Sequence, residues 1–265
     1  MNYVVYCVLR EKDRVPDRLP LGVGGGRVSL LAEDGLAVAF SRVRLGCAVP
    51  SLSRVKAYAR VVEALHKTGT VLPMRYGCEL STRAQLVELL REHRAEFQAA
   101  LDEVEGCVEL GIRVLLREAH GPVSGDVGRP SGPSPARVYL ASRKACYSEQ
   151  DQERGESAAV ARRIQKAFDQ LFVRCLAEPS FAGRERLLTL HFLVHRQDHE
   201  LFCQAFRRLE KRTPEKLLLT GPWPPYNIAS CHQATPSRDR MRQAFSLDLP
   251  VNPASALPPS PQEKP

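Results

Sequence analysis

Apolar and polar positions change period several times along this chain, and each change marks an element. Tyr3, Val5, Cys7 and Leu9 alternate with Val4, Tyr6 and Val8. Both faces are apolar, which predicts a strand in the middle of a covered sheet. Val28 to Leu31 and Leu36 to Val43 flank Glu33-Asp34-Gly35, and Asp-Gly between apolar runs predicts a hairpin. The spacing then becomes three and four. Val55, Tyr58, Val62 and Leu65 predict a helix capped by Ser53 and stopped at Gly69. Thr70 to Gly77 returns to strand, with Pro73 forcing an edge or a bulge. Leu86, Leu90, Phe97, Leu101 and Val104 predict one long helix, capped by Ser81 and ending near Gly106. Val108, Leu110, Ile112, Val114 and Leu116 then alternate with Glu109, Gly111 and Arg113, as a half-buried strand does.

These elements predict an α+β fold of two domains. Residues 1–117 form a ferredoxin-like sandwich. Residues 118–136, rich in Gly, Pro and Ser, form a linker that cannot bury a core. Residues 137–230 form a smaller α+β domain. It opens at Arg137 to Tyr147. It continues with a helix on Val160, Ile164, Phe168, Leu171, Phe172 and Cys175, which Pro179 and Gly183 end. A strand on Leu188, Leu190, Phe192 and Val194 follows, then a helix from His199 to Arg212 and a strand over Leu217 to Leu219. Residues 231–265 turn polar and Pro-rich and read as a disordered tail.

The last strand leads into Thr220-Gly221-Pro222-Trp223-Pro224-Pro225-Tyr226-Asn227, which carries the only Trp of the protein between prolines. Proline removes a backbone donor, so the strand is expected to stop here and continue as a stiff, polyproline-like arm. Such an arm costs little entropy to dock on a partner. It also has a structural use, as a staple in which Trp223 folds back and holds the second domain on the first.

Composition leaves this picture of a globular protein in place: of 265 residues, 43% are apolar and 26% charged. The apolar runs are strand-sized, too short to span a bilayer. Met1 to Leu9 reads as a first strand and not as a signal peptide. The net charge of +8 favours acidic partners, although the basic residues are spread and read mainly as solvated helix faces. The eight cysteines form no C-x-x-C pair and read as reduced thiols of a cytoplasmic protein.

Candidate chemistry is sparse. Leu21 to Gly26 is glycine-rich, but Arg27 breaks the dinucleotide pattern and no phosphate-loop Lys follows, so it reads as a flexible loop. His191, His195 and His199 lie four apart. On a strand His191 and His195 are about 13 Å from each other, too far to share an ion. Cys78, near Arg75 and His66, comes nearest to an activated thiol and reads as a buried structural one. No G-x-S-x-G and no aromatic RNA-binding strand are present. The residues therefore indicate no catalytic set, no cofactor and no metal. They leave a partner-binding protein, with a basic nucleic-acid-binding module as the alternative.

Several motifs in register resemble the gas vesicle proteins of the GvpF/GvpL family. Thr70-Val71-Leu72-Pro73-Met74-Arg75-Tyr76-Gly77 and Glu109-Leu110-Gly111-Ile112-Arg113-Val114 resemble its first domain. Val138 to Lys144, Leu190 to Val194 and Thr220 to Tyr226 resemble its second. The chain departs from that pattern at Cys78, Leu110 and His195. The resemblance implies a non-enzymatic accessory or minor structural protein of gas vesicles. Its partners would be the small hydrophobic shell protein and other gas vesicle accessory proteins, without a membrane, in the gas vesicle or the cytoplasm. Arg75, Tyr76, Trp223, Pro224, Pro225 and Tyr226 are the candidate partner-binding residues.

Overall fold

Strand β1 (Asn2–Arg10) is the axis of the first sheet because it is apolar on both faces, and Val4 through Leu9 are all buried. The computed structural model describes residues 1–44, 49–116, 155–182 and 185–229. β1 lies between β3 (Leu36–Val43) on one side and β4 (Val71–Pro73) and β5 (Glu79–Leu80) on the other. β2 (Val28–Glu33) pairs with β3, and all pairings are antiparallel. The expected hairpin turn is present, with Asp34 and Gly35 both at positive φ. The glycine-rich loop is a packed turn and not a free one. Val23 is buried and its N–H donates to the Tyr6 hydroxyl at 2.8 Å.

Helix α1 (Leu52–His66) buries Tyr58, Val61, Val62 and Leu65 against Val4, Tyr6, Cys7 and Leu9 of β1. Its cap is Ser51, not Ser53: Ser51 is extended and its side chain accepts from the Arg54 N–H. The long second helix is in fact two, α2 (Arg83–Glu92) and α3 (Arg94–Glu103), joined at His93 with non-helical φ −106° and ψ 18°. The bend lets Leu86, Leu90, Phe97 and Leu101 all sink into the core, which one straight rod could not do on a twisted sheet. Thr82, not Ser81, caps α2 through a capping box with Gln85.

Strand β6 (Cys107–Leu116) departs from the expected layout. It does not close the first sheet but sits inside a second one, of order β7-β8-β6-β9. Its neighbours are β8 (Glu185–His195) and β9 (Lys216–Trp223), both antiparallel. Nor is it half-buried as its alternation predicts: Cys107 to Ile112 are all buried, Glu109 and Gly111 included, because the strand is central in that second sheet. The helix expected to run through Cys175 ends earlier. The described part of α4 covers residues 155–167, a turn with Gln170 at positive φ follows, and Arg174–Ala182 is edge strand β7. Pro179 is tolerated there because an edge leaves its missing donor unpaired. α4, the turn after it and α5 (His199–Glu210) cover one face of this sheet. Ile164, Phe168, Phe202 and Phe206 pack on Ile112, Leu190 and Phe192.

The described residues fall in one compact unit, Met1–Gln233; the other unit, Ala234–Pro265, lies outside them. The expected linker at 118–136, the Val138 to Lys144 motif and the tail at 231–265 also lie outside the described residues. Among those residues, no helix is long and apolar enough to cross a membrane.

Candidate functional site

The end of β9 is built by a buried carboxylate. Glu109 stands opposite Trp223 across the β6–β9 ladder, beside a register shift between Glu109 and Gly111. Its side chain is 3% exposed. It accepts from the backbone N–H groups of Asn227 at 2.8 Å and Ile228 at 3.3 Å, from the Asn227 amide, and from His191 Nδ1 at 3.1 Å. Charge-assisted bonds of this kind are the strong ones. They pull the chain inward after Trp223.

This corrects the picture of a projecting arm. The strand continues past Pro222 to Trp223, with the Gly221–Pro222 peptide cis. β9 is an edge, so the missing Pro222 N–H breaks no ladder. Residues 224–229 then turn back, and the Tyr226 N–H donates to the Pro224 carbonyl at 2.8 Å. Tyr226, and not Trp223, is the ring that reaches the first core: it packs against the cluster of Tyr6, Tyr58 and Val62. Trp223 stays 44% exposed.

Between this turn and α1 lies a groove of about 630 Å³. Val55, Ala59 and Glu63 of α1 form one wall, Pro73, Met74, Arg75 and Tyr76 the floor, and Trp223, Tyr226, Asn227 and Ala229 the other wall. Tyr58 braces the floor: its hydroxyl donates to the Tyr6 carbonyl at 2.8 Å and contacts the Met74 carbonyl. Burial, with Glu63, Cys7 and Glu109 nearby, pushes the Tyr226 phenol up, so the ring stays neutral.

The structure therefore gathers Arg75, Tyr76, Trp223 and Tyr226 around one space. Pro224 and Pro225 do not line it; they are buried. The α1 wall was not singled out from the sequence. Its signal was the row Val55, Ala59, Glu63 at four-residue spacing, one face of the helix.

The histidines separate. His191 bonds Glu109, His195 contacts Cys107 Sγ at 3.3 Å, and His199 faces Cys203 Sγ at 3.6 Å. Among the described residues no His, Cys, Asp and Glu group is arranged to hold a metal ion. Burial pushes the Cys78 thiol up to about 11, which keeps it protonated and a poor nucleophile. His66 is turned to Arg196 instead, whose guanidinium donates to the His66 carbonyl at 2.6 Å.

Comparison with known proteins decides the family. The description "Gas vesicle synthesis protein GvpL/GvpF" matches residues 2–229, which include both sheets and every groove residue. The chain belongs to the GvpL/GvpF family. It is 26% identical over 164 residues to gas vesicle protein F1 of Halobacterium salinarum, covering 62% of this chain and 61% of that protein. It is 24% identical over 165 residues to gas vesicle protein F of Haloferax mediterranei, covering 62% of each. The chain thus spans about three fifths of the length of these curated relatives. The crystal structure of GvpF from Anabaena sp. PCC7120 superposes with a TM-score of 0.67 at 14% identity, over 86% of this chain and 95% of that one. GvpF from Microcystis aeruginosa gives 0.66 at 12% identity, over 86% and 98%. The GvpF fold and the GvpL/GvpF sequence pattern therefore coincide on the α+β framework that carries the groove.

Proposed function

We propose that this GvpL/GvpF chain is a non-enzymatic assembly factor or minor component of gas vesicles that binds the small hydrophobic shell protein. One observation carries the reading: Arg75, Tyr76, Trp223 and Tyr226, from distant parts of the chain, meet at one open groove with an exposed Trp at its lip. A gas vesicle wall needs a subunit with a very apolar face. Before assembly that face is an aggregation hazard, and a covering protein removes it. Exposed aromatic rings beside a cation are the usual anchors of such contacts. A specific contact needs about 1,000 Å² in all, so the groove is its centre and the surface around it the rest. Other gas vesicle accessory proteins are further partners, and the protein acts in the cytoplasm or on the vesicle.

The test is co-expression with the shell subunit. The intact chain should keep that subunit in the supernatant and co-purify with it, and Trp223→Ala together with Arg75→Glu should lose it. A shell subunit that stays insoluble, and is never captured at low or moderate salt, would remove the proposal.

A further inference from the structure

The groove is not an evenly greasy slot. Beyond Val55, which is 39% exposed, its α1 wall extends toward the start of the helix to Leu52, which is 73% exposed. Leu52, Val55 and Ala59 follow the three-and-four spacing of a helix that packs on another helix. Ala59 is small and lets a second backbone come close. The opposite lip is the exposed Trp223. These positions form an apolar channel along α1, about 10 Å from Leu52 to Ala59 at 1.5 Å per residue.

Cations stand in and beside the channel. Arg75 is in its floor, and Lys56 and Arg60, one position after Val55 and Ala59 on α1, lie outside its lining; all three are exposed. None makes an ion pair among the described residues. Glu63 is the one acid among the groove residues. A docking segment therefore gains from carboxylates beside its apolar face, and a basic one meets repulsion from three cations unpaired among the described residues.

The backbone also selects the shape of the guest. A guest strand needs a row of donors and acceptors to pair with. Pro73 in the floor offers no N–H, and in the turn around Trp223 neither do Pro222, Pro224 and Pro225, which lie outside the lining. What remains for recognition is side-chain surface, a helix face on one side and an indole on the other.

We infer that the groove seats an acidic amphipathic helix of a protein partner, with large apolar side chains in the channel and carboxylates on Lys56, Arg60 and Arg75. This rests on the groove being a docking site, and not on which gas vesicle protein supplies the helix.

Trp223, the sole Trp, reports directly on this site. The probe is a synthetic amphipathic peptide of about 18 residues, long enough to hold a helix, with Leu and Phe on one face and Glu on the other. The control replaces every Glu by Lys. Addition of the acidic peptide to the full chain should shift Trp223 emission to the blue, saturably. Arg60→Glu with Arg75→Glu, both at exposed positions, should weaken binding at least about tenfold. The Lys peptide should not bind, and added salt should weaken the acidic one. Equal binding of both peptides, or none, overturns the inference. Binding of vesicles of anionic lipid with the same variant dependence, in place of the peptide, overturns it too. If the acidic peptide binds while the shell subunit is never captured, this inference stands and the shell-protein reading falls. If the shell subunit is captured and the acidic peptide does not bind, the reverse holds.

Discussion

The buried carboxylate of Glu109 holds Asn227 by its backbone N–H, at 2.8 Å across 118 positions of sequence. That bond fixes the turn whose Tyr226 enters the first core and whose Trp223 stands at the groove lip. Glu109→Ala strands the N–H groups of Asn227 and Ile228 and should cost about 2 to 4 kcal/mol. Glu109→Gln keeps one acceptor and should cost less. Urea unfolding measures both. Trp223 emission should change in Glu109→Ala at denaturant concentrations where the rest of the chain is still folded, because the turn loosens first.

Trp223 and Tyr226 are neighbours with opposite consequences. Trp223 is 44% exposed, so Trp223→Ala should lower stability by less than about 1 kcal/mol while abolishing capture of a partner. Tyr226→Ala empties space against the first core and should cost about 3 kcal/mol. Its buried hydroxyl has no hydrogen-bond partner among the described residues. Tyr226→Phe should therefore be neutral or stabilising by up to about 1 kcal/mol. A Trp223→Ala variant that unfolds early would make the indole a staple and not a docking residue.

Much of this was legible in the sequence for a physical reason. Strand and helix type follow from side-chain period, so β1, the β2–β3 hairpin, α1, β6, β8 and α5 were all readable as elements. The assignment of β6 to a sheet was not. Nothing local in Cys107–Leu116 encodes that its partners lie at 185–195 and 216–223. The break at His93 was hidden because the apolar spacing of Leu86, Leu90, Phe97 and Leu101 passes through it unchanged. The site was half legible. Rare residues such as Trp223 among prolines attract notice, whereas Val55 and Ala59 become a wall only when β6 and β9 bring the turn beside α1. Glu109 was read as the polar side of a strand, and its true place under the turn is a tertiary fact.

Gly22 is held by close approach. A Cβ there would lie 2.0 Å from the Tyr6 hydroxyl oxygen and 2.9 Å from its ring carbon. The same hydroxyl meets Ser41 Oγ at 2.6 Å and accepts from the Val23 N–H at 2.8 Å, so it has little room to move. Gly22→Ala should cost about 2 kcal/mol or more through overpacking. Tyr6→Phe removes the nearest atom and should restore part of that loss in the double variant, giving a coupling of at least about 0.5 kcal/mol by a double-mutant cycle. Strict additivity would mean that the loop relaxes freely.

His66 predicts how the fold responds to acid. Burial, and then the Arg196 guanidinium, push its imidazole down from the ordinary 6.5 to about 4. The unfolded chain takes up a proton near 6.5, the folded chain only near 4, so between these values the unfolded state binds more protons. The neutral ring therefore contributes fully above about pH 6.5. Its contribution falls as pH drops, by about 3 kcal/mol once pH passes below 4. His66→Gln cannot titrate and should flatten this part of the acid limb, at the cost of an imperfect fit beside Arg196. Arg196→Gln should flatten it in part only, because it removes the smaller of the two causes and leaves burial in place. Urea midpoints measured from pH 7.5 to pH 4 in the three proteins decide the point. Parallel curves would show that another group governs the acid response.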